Sequence, residues 1–171
     1  MGLLRALSEW VGPHGTVVGT RFLLAPLGRI EAQLDAYCRL VRPGGRLVLE
    51  EPDSGSWHFN PPAEAAERLI ALIVEAFAAA GGDFDAGRKL PALLRSRGVE
   101  PAIDAHVLAL AAGHPYLRLP LQFASSLEQR LLELMSADDL TDLRARAEQD
   151  VDAARWGTSF TLIQAYGRVT R

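Results

Sequence analysis

The sequence predicts an α/β fold with a few-stranded, mostly parallel sheet and flanking helices. Runs of strand length alternate with stretches of helical apolar spacing, and glycine or proline marks the changes between them. Strands separated by helices usually pair in parallel through right-handed crossovers. The 171 residues, 49% of them hydrophobic, have the size of one ordinary domain with a single core.

The first third of the chain shows two helical patterns, each followed by a strand pattern. Apolar residues at helical spacing predict the helices, which end at the turn sequences GPHG and RPGG. The runs TVVGT and RLVLEE predict the strands. In chain order, these elements are an amino-terminal helix over 1–15, a strand over 16–20, a helix over 29–41 and a strand over 46–51. We therefore assign 16–60 to a strand–helix–strand core.

The rest of the chain is predicted to be largely helical until a closing strand. The stretch AEAAERLIALIVEAFAAA is apolar on most faces, so we expect a largely covered helix. Ser136 and Asp139 form a capping-box arrangement before the last helix. The predicted elements are helices over 62–81, 86–97, 121–135 and 137–149, a strand over 102–110 and a last strand over 159–169. We assign 61–150 to a helical lid and substrate region, and 158–170 to the closing strand.

Composition argues against several classes of function. The net charge of −3, without a basic cluster, argues against a nucleic-acid partner. The single cysteine, Cys38, excludes an internal disulfide, and four scattered histidines give no metal site. The most apolar window, 69–80, is shorter than the roughly 20 residues of a membrane span, and the first ten residues do not resemble a signal peptide. We expect a cytoplasmic protein without a membrane partner.

The segment LVRPGGRLVLEEPD, residues 40–53, combines a helix stop, an apolar strand and an acidic strand end. This junction resembles the corresponding part of class I S-adenosylmethionine-dependent methyltransferases. The longer stretch VVGTRFLLAPLGRIEAQLDAYCRLVRPGGRLVLEEPDSGSW is similar to the fourth strand, helix and fifth strand of that family. GGDFDAGRKLPALLRSRG, GHPYLRLPLQFASSL and FTLIQAYGR are similar to later parts of small-molecule members. The resemblance covers 16–170 and implies a partial Rossmann-like methyltransferase fold, with one methyltransferase-like domain over 1–171.

The half of that fold that holds the nucleotide has no counterpart in this sequence. The family has a glycine-rich turn after its first strand and an acidic residue ending its second, and neither is found here. The resemblance therefore implies a truncated member with no assigned cofactor-binding residues. We expect no cofactor; if the chain binds one, the resemblance implies S-adenosylmethionine. The edge of strand 16–20 would be exposed, so we expect a homodimer or a complex with another methyltransferase-like chain.

Ligands of open α/β sheets bind beyond the carboxyl ends of the strands, which selects Arg21, Glu50 and Glu51. Arg21 is suited to hold a carboxylate or phosphate-like group of a substrate, or else forms a surface ion pair with one of the glutamates. Glu50 or Glu51 would act as a base if burial raised its pKa. A purely structural role is the alternative for both.

Two loops, SGSWHFNPP and GHPYLRLP, carry histidine beside aromatic residues. Histidine transfers protons near neutral pH, and aromatic loop residues form walls of small-molecule pockets. The alternatives are packing onto the following helix for the first loop and turn stabilisation for the second. The predicted acid–base residues of these loops are His58 and His114, and the predicted substrate-binding residues are Trp57, Phe59, Tyr116 and Phe123.

The sequence is compatible with three functions. The first is an enzyme of methyltransferase descent that binds an apolar small molecule and promotes cyclisation, isomerisation or elimination without the cofactor. The second is an S-adenosylmethionine-dependent O- or N-methyltransferase with an atypical or intersubunit cofactor site. The third is a non-catalytic partner subunit of another methyltransferase.

Overall fold

The computed structural model describes residues 17–158 and 161–170, so the predicted helix over 1–15 lies outside the described residues. Within the described ranges lie seven strands and seven α-helices. They are β1 Val17–Arg21, α1 Leu24–Leu27, α2 Ile30–Leu40, β2 Arg46–Asp53, β3 Phe59–Asn60, α3 Glu64–Ala79, α4 Ala86–Arg95, β4 Ala102–His106, β5 Ala109–Ala111, α5 Leu119–Ser126, α6 Glu128–Leu131, α7 Ala137–Ala153, β6 Trp156–Thr158 and β7 Thr161–Arg168.

The described chain divides into two compact units. The first unit contains 17–53, 84–106 and 162–170, and the second contains 54–83, 107–158 and residue 161. This division does not test whether 1–171 is a single domain, which stays a prediction. In the part of the chain that the structure describes, no helix is long and apolar enough to cross a membrane.

The sheet of the first unit has the strand order β1-β2-β7-β4. β1 and β2 are parallel, whereas β4 and β7 are antiparallel, with Ala102 opposite Tyr166. The sheet is therefore mixed, and the prediction of a mostly parallel sheet is wrong. The physical reason is that strict strand–helix alternation ends after β2. The chain between β4 and β7 is not a single crossover helix but most of the second unit, so nothing in this connection imposes parallel pairing.

The core of the first unit is built around β2. All six interior residues of this strand are buried, which explains why its sequence is continuously apolar before the acidic end. On one side, α4 contacts β2 closely, because Gly87 leaves room for the backbone oxygens of Glu51 and Pro52. Leu34 of α2 is completely buried in the same cluster as Leu49 of β2.

The second unit packs α3 against α7 beside a small antiparallel sheet with the order β3-β6-β5. Asp150 of α7 accepts hydrogen bonds from the backbone nitrogens of Ala65 and Ala66, at 2.8 and 3.1 Å, and thereby caps α3. At the start of α7, the hydroxyl of Ser136 accepts from the backbone nitrogen of Asp139, as the capping box predicted.

Two predicted elements differ from the structure. The strand over 102–110 is two strands that belong to different sheets, because β4 pairs with β7 whereas β5 pairs with β6. The helix over 121–135 begins earlier, at Leu119, and is divided into α5 and α6 at Leu127. Proline fits the first turn of a helix, so Pro120 starts α5 rather than ending a loop.

Candidate functional site

Arg21 and Glu50 form an ion pair at the carboxyl ends of β1 and β2. The two residues are opposite each other in the parallel register, and Nε of Arg21 lies 2.6 Å from Oε1 of Glu50. The Glu50 side chain is 9% exposed and that of Arg21 is 61% exposed. The amide of Gln164 on β7 donates to the second oxygen of Glu50 at 3.3 Å. Both oxygens of Glu50 therefore have a neighbour within the first unit.

Glu51 is completely buried and its carboxylate is held by the backbone. Oε1 accepts from the nitrogens of Leu23 and Leu24, at 3.0 and 2.9 Å, and Oε2 accepts from the nitrogen of Ala25 at 3.0 Å. These are amide groups at the start of α1 that have no partner inside the helix. This geometry gives Glu51 a structural role as the anchor of the 23–25 segment, and its catalytic role stays a prediction.

The electrostatic environment of Glu51 disfavours its charged form. Burial raises the pKa of Glu51, the three backbone hydrogen bonds partly oppose this, and the nearby charge of Glu50 raises the pKa further. Burial also raises the pKa of the Tyr37 hydroxyl, with a second contribution from the charge of Glu51. Ionisation of Glu51 is thus coupled to its burial, and the roles of Glu50 and Glu51 as a base stay predictions.

A second ion pair involves Asp53, two residues after Glu51, and was missed by sequence reasoning. Nε of Arg88 in the first turn of α4 lies 2.7 Å from Oδ1 of Asp53. Asp53 and Arg88 are 35 positions apart, and no helical or strand spacing in the sequence relates them. The pair could therefore not be predicted from the sequence. Gln164 had a signal, because it is a polar interruption in the apolar run TLIQAY.

The second unit contains a pocket of about 360 Å³ on one side of α3. The 54–58 segment and the α3 face from Glu67 to Val74 form its walls. Nδ1 of His58 lies 3.8 Å from Oε1 of Glu67, which gives a protonated His58 an acidic neighbour. The lining residues are Ser54, Gly55, Trp57, His58, Glu67, Ile70, Ala71 and Val74. The pocket thus combines an apolar wall with one histidine–carboxylate pair.

Trp57 connects this pocket to an aromatic cluster inside the second unit. Its ring meets that of Phe123 edge to face, with the ring centres 6.2 Å apart, and Phe123 meets Phe77 in the same way at 6.0 Å. Trp57 is 3% exposed and Phe59 is 6% exposed. Trp57 therefore faces the interior of the second unit, and the substrate-binding roles of Trp57, Phe59 and Phe123 stay predictions. Phe59 pairs with Gly157 in the small sheet and is part of the interior.

His114 and Tyr116 form the third pair of predicted residues that the structure brings together. Their ring centres are 5.2 Å apart, and Nδ1 of His114 accepts from the backbone nitrogen of Tyr116 at 3.1 Å. This bond caps a short 3-10 helix over Pro115–Arg118. The arrangement matches the alternative of turn stabilisation by the histidine ring. The roles of His114 in acid–base chemistry and of Tyr116 in substrate binding stay predictions.

The predicted site residues fall into both units. Arg21, Glu50 and Glu51 belong to the first unit, whereas His58 and all the aromatic candidates belong to the second. Within 17–158 and 161–170, no group of three or more histidine, cysteine, aspartate or glutamate side chains is arranged to hold a metal ion. Each unit therefore presents its own cluster, with ion pairs in the first and an apolar pocket in the second.

Comparison with known proteins supports the fold and no closer assignment. No protein-family model matches the chain, and no curated protein does. Among matching solved structures is a protein from Bacillus halodurans C-125 named "putative methyltransferase", with a TM-score of 0.51 and 10% sequence identity. The match covers 94% of this chain and 68% of that one. At this identity it shows a methyltransferase-like α/β fold, whereas the truncation stays a prediction.

The residues at the strand ends do not fit S-adenosylmethionine as they stand. An acid that binds ribose accepts a hydrogen bond from a ribose hydroxyl group. Here the carboxylate of Glu50 is paired with Arg21, that of Glu51 with backbone amides and that of Asp53 with Arg88. The sequence also lacks the glycine-rich turn that admits the cofactor. In the folded chain these three carboxylates already have protein partners, and two of those partners are solvent-exposed arginines.

Proposed function

We propose that this chain is a methyltransferase-like enzyme that binds an apolar small molecule in the pocket beside α3 and acts on it without S-adenosylmethionine. The observation that carries the proposal is the placement of His58 and Glu67 on a pocket otherwise walled by Trp57, Ile70 and Val74. Small-molecule sites are typically apolar concavities with a few convergent polar groups.

The proposed chemistry is proton transfer at an oriented substrate. Neutral His58 accepts a proton from the bound molecule, and the carboxylate of Glu67 then stabilises the imidazolium from 3.8 Å. The apolar wall orients the substrate, which by itself lowers the barrier for rearrangements within one molecule. The imidazolium then returns the proton to another atom of the substrate, in a cyclisation or isomerisation, or to the leaving group, in an elimination, so that His58 is neutral again.

The structure provides a test of the pocket that does not depend on knowing the substrate. Ala71 lines the pocket and is exposed, so Ala71→Trp should fill the space with little effect on folding. The matched control is Ala78→Trp, at an exposed position of α3 outside the pocket lining. We expect A71W to abolish binding of apolar ligands from a fluorescence screen, while A78W binds as wild type does. Equal binding by both variants would reject the pocket.

The acid–base pair is tested separately. Once a turned-over substrate is found without S-adenosylmethionine, Glu67→Gln should reduce kcat by up to about fivefold, because a neutral amide does not stabilise an imidazolium and the pair is partly exposed to solvent. Glu75→Gln, on an exposed position of the same helix, is the control and should keep full activity. The mass of the product shows whether a methyl group has been transferred from the cofactor. A gain of one methyl group that depends strictly on S-adenosylmethionine would overturn the cofactor-independent mechanism.

Methyl transfer is the second candidate, and the fold likeness to a protein named as a methyltransferase is the observation that favours it. Under this function, His58 would deprotonate an oxygen or nitrogen of the acceptor, and the cofactor would bind at an atypical or intersubunit site. Calorimetry with S-adenosylmethionine distinguishes the two candidates. Binding in the micromolar range would favour methyl transfer over the cofactor-independent reaction.

A further inference from the structure

β4 is an edge strand whose residues are all exposed. It lies at the end of the order β1-β2-β7-β4, pairs with β7 on one side, and has no strand on its other side among the described residues. Every position from Ala102 to His106 is exposed. Such a strand presents unpaired backbone N–H and C=O groups and is a template for pairing with another chain.

The sequence of β4, AIDAH, is complementary to itself when it runs antiparallel. Asp104 and His106 are two residues apart, so they lie on the same face of the strand. If two copies pair with Ala105 opposite itself, Asp104 of each copy stands directly across from His106 of the other. The carboxylate accepts a hydrogen bond from an imidazole N–H whether the histidine is neutral or charged. The same favourable pair forms twice, as two-fold symmetry requires.

Registers shifted toward the start of β4 are less favourable. The backbone N–H and C=O groups of β4 point toward the second copy at alternate residues, so each residue must pair with one whose groups point the same way. The sum of two paired residue numbers is therefore even, and the two-fold axis passes through a residue. Placing Asp104 on the symmetry axis sets two carboxylates directly opposite each other, which is destabilising. Placing Ile103 on the axis leaves Asp104 without a hydrogen-bond donor and sets Pro101, which has no N–H, across from Ala105.

The opposite edge of the sheet offers no comparable complementarity. The single charged residue of β1 is Arg21, and it is already paired with Glu50 inside the first unit. Antiparallel pairing of two β1 strands would therefore create no acid–base pair. We propose that two copies of this chain associate by antiparallel pairing of β4, with Ala105 on the two-fold axis and Asp104 opposite His106 of the second copy.

Disulfide trapping tests both the association and its register. Cα atoms of directly opposite residues in antiparallel strands are about 4.5–5.5 Å apart, within the range of a disulfide. Ala105→Cys should therefore link two chains rapidly under mild oxidation. Ile103→Cys places the thiol on the same face but four residues out of register from its copy, roughly 13 Å along the strand. It should not form the link. The natural Cys38 is buried, so the wild type serves as the background.

Charge exchange supplies an independent test by sedimentation at high protein concentration. Asp104→Lys sets a lysine opposite the histidine and should shift the protein to monomer, whereas Asp104→Lys with His106→Glu should restore the dimer. Glu75→Lys makes the same charge change on α3 and should leave the dimer intact. Circular dichroism verifies that each variant is folded. A folded A105C that stays monomeric, equal linking by I103C, or a D104K variant that still dimerises would overturn the proposal.

Discussion

Substitution of Gly87 by alanine is the sharpest test of how α4 is held against β2. A Cβ atom at this position would lie 2.6 Å from the backbone oxygen of Glu51, 2.9 Å from that of Pro52 and 3.1 Å from Cβ of Ile163. Two of these atoms are strand backbone and cannot rotate away. Overpacking of this kind costs about 3 kcal/mol at the upper end of its usual range. Alanine returns at most about 1 kcal/mol through its better helix propensity, because Gly87 lies in the first turn of α4.

The expected net effect of Gly87→Ala is a loss of about 2 kcal/mol in the free energy of unfolding. Urea denaturation followed by circular dichroism measures it. The control is Gly44→Ala in the same unit, where φ is +78° and a Cβ would meet no atom within 4 Å. That variant should lose only about 1 kcal/mol, the cost of a left-handed alanine. A G87A protein that is no less stable than the wild type would refute the close approach of α4 to β2.

Two further predictions concern a buried charge and a helix cap. The pKa of Glu51 is raised in the folded protein, so the stability of the wild type relative to Glu51→Gln should fall as pH rises from about 4.5, the ordinary value for glutamate. Denaturation curves between pH 4 and 7 measure this difference, and a difference that grows with pH would contradict the burial effect. Ser136→Ala should cost about 1 kcal/mol by removing the cap of α7. Ser126→Ala, which removes no cap, is its control in the same assay, and equal losses would argue against the cap.

Local signals in the sequence predicted the elements near residue 45 well. The apolar stripe of α2, the RPGG stop and the continuous apolar run of β2 all act within a few residues, so they can be read without tertiary information. The strand predicted over 102–110 shows where local signals are insufficient. Its alternation continues through Val107, and nothing local marks the change of sheet. That change depends on β7 and β6, which lie more than 45 residues further along the chain.

The candidate site divides in the same way. The position of Glu50 and Glu51 near the end of a buried strand was predicted, and the Arg21–Glu50 ion pair was one of the two alternatives considered. The backbone anchoring of Glu51 was not predicted, because its three donors lie 26–28 residues earlier in a segment without a capping signal. The proximity of Glu67 to His58 was missed for a similar reason. A loop histidine and a helix glutamate meet only after the loop folds onto α3.

The alternation of the two units along the chain has a consequence for synthesis. The chain leaves the first unit after Asp53, returns at Phe84, leaves again after His106 and returns at Leu162. Because Ala102 pairs with Tyr166, β4 stays unpaired in a growing polypeptide until β7 has left the ribosome. A truncation at any single junction would separate strands of one sheet, so neither unit can be obtained by cutting the gene once.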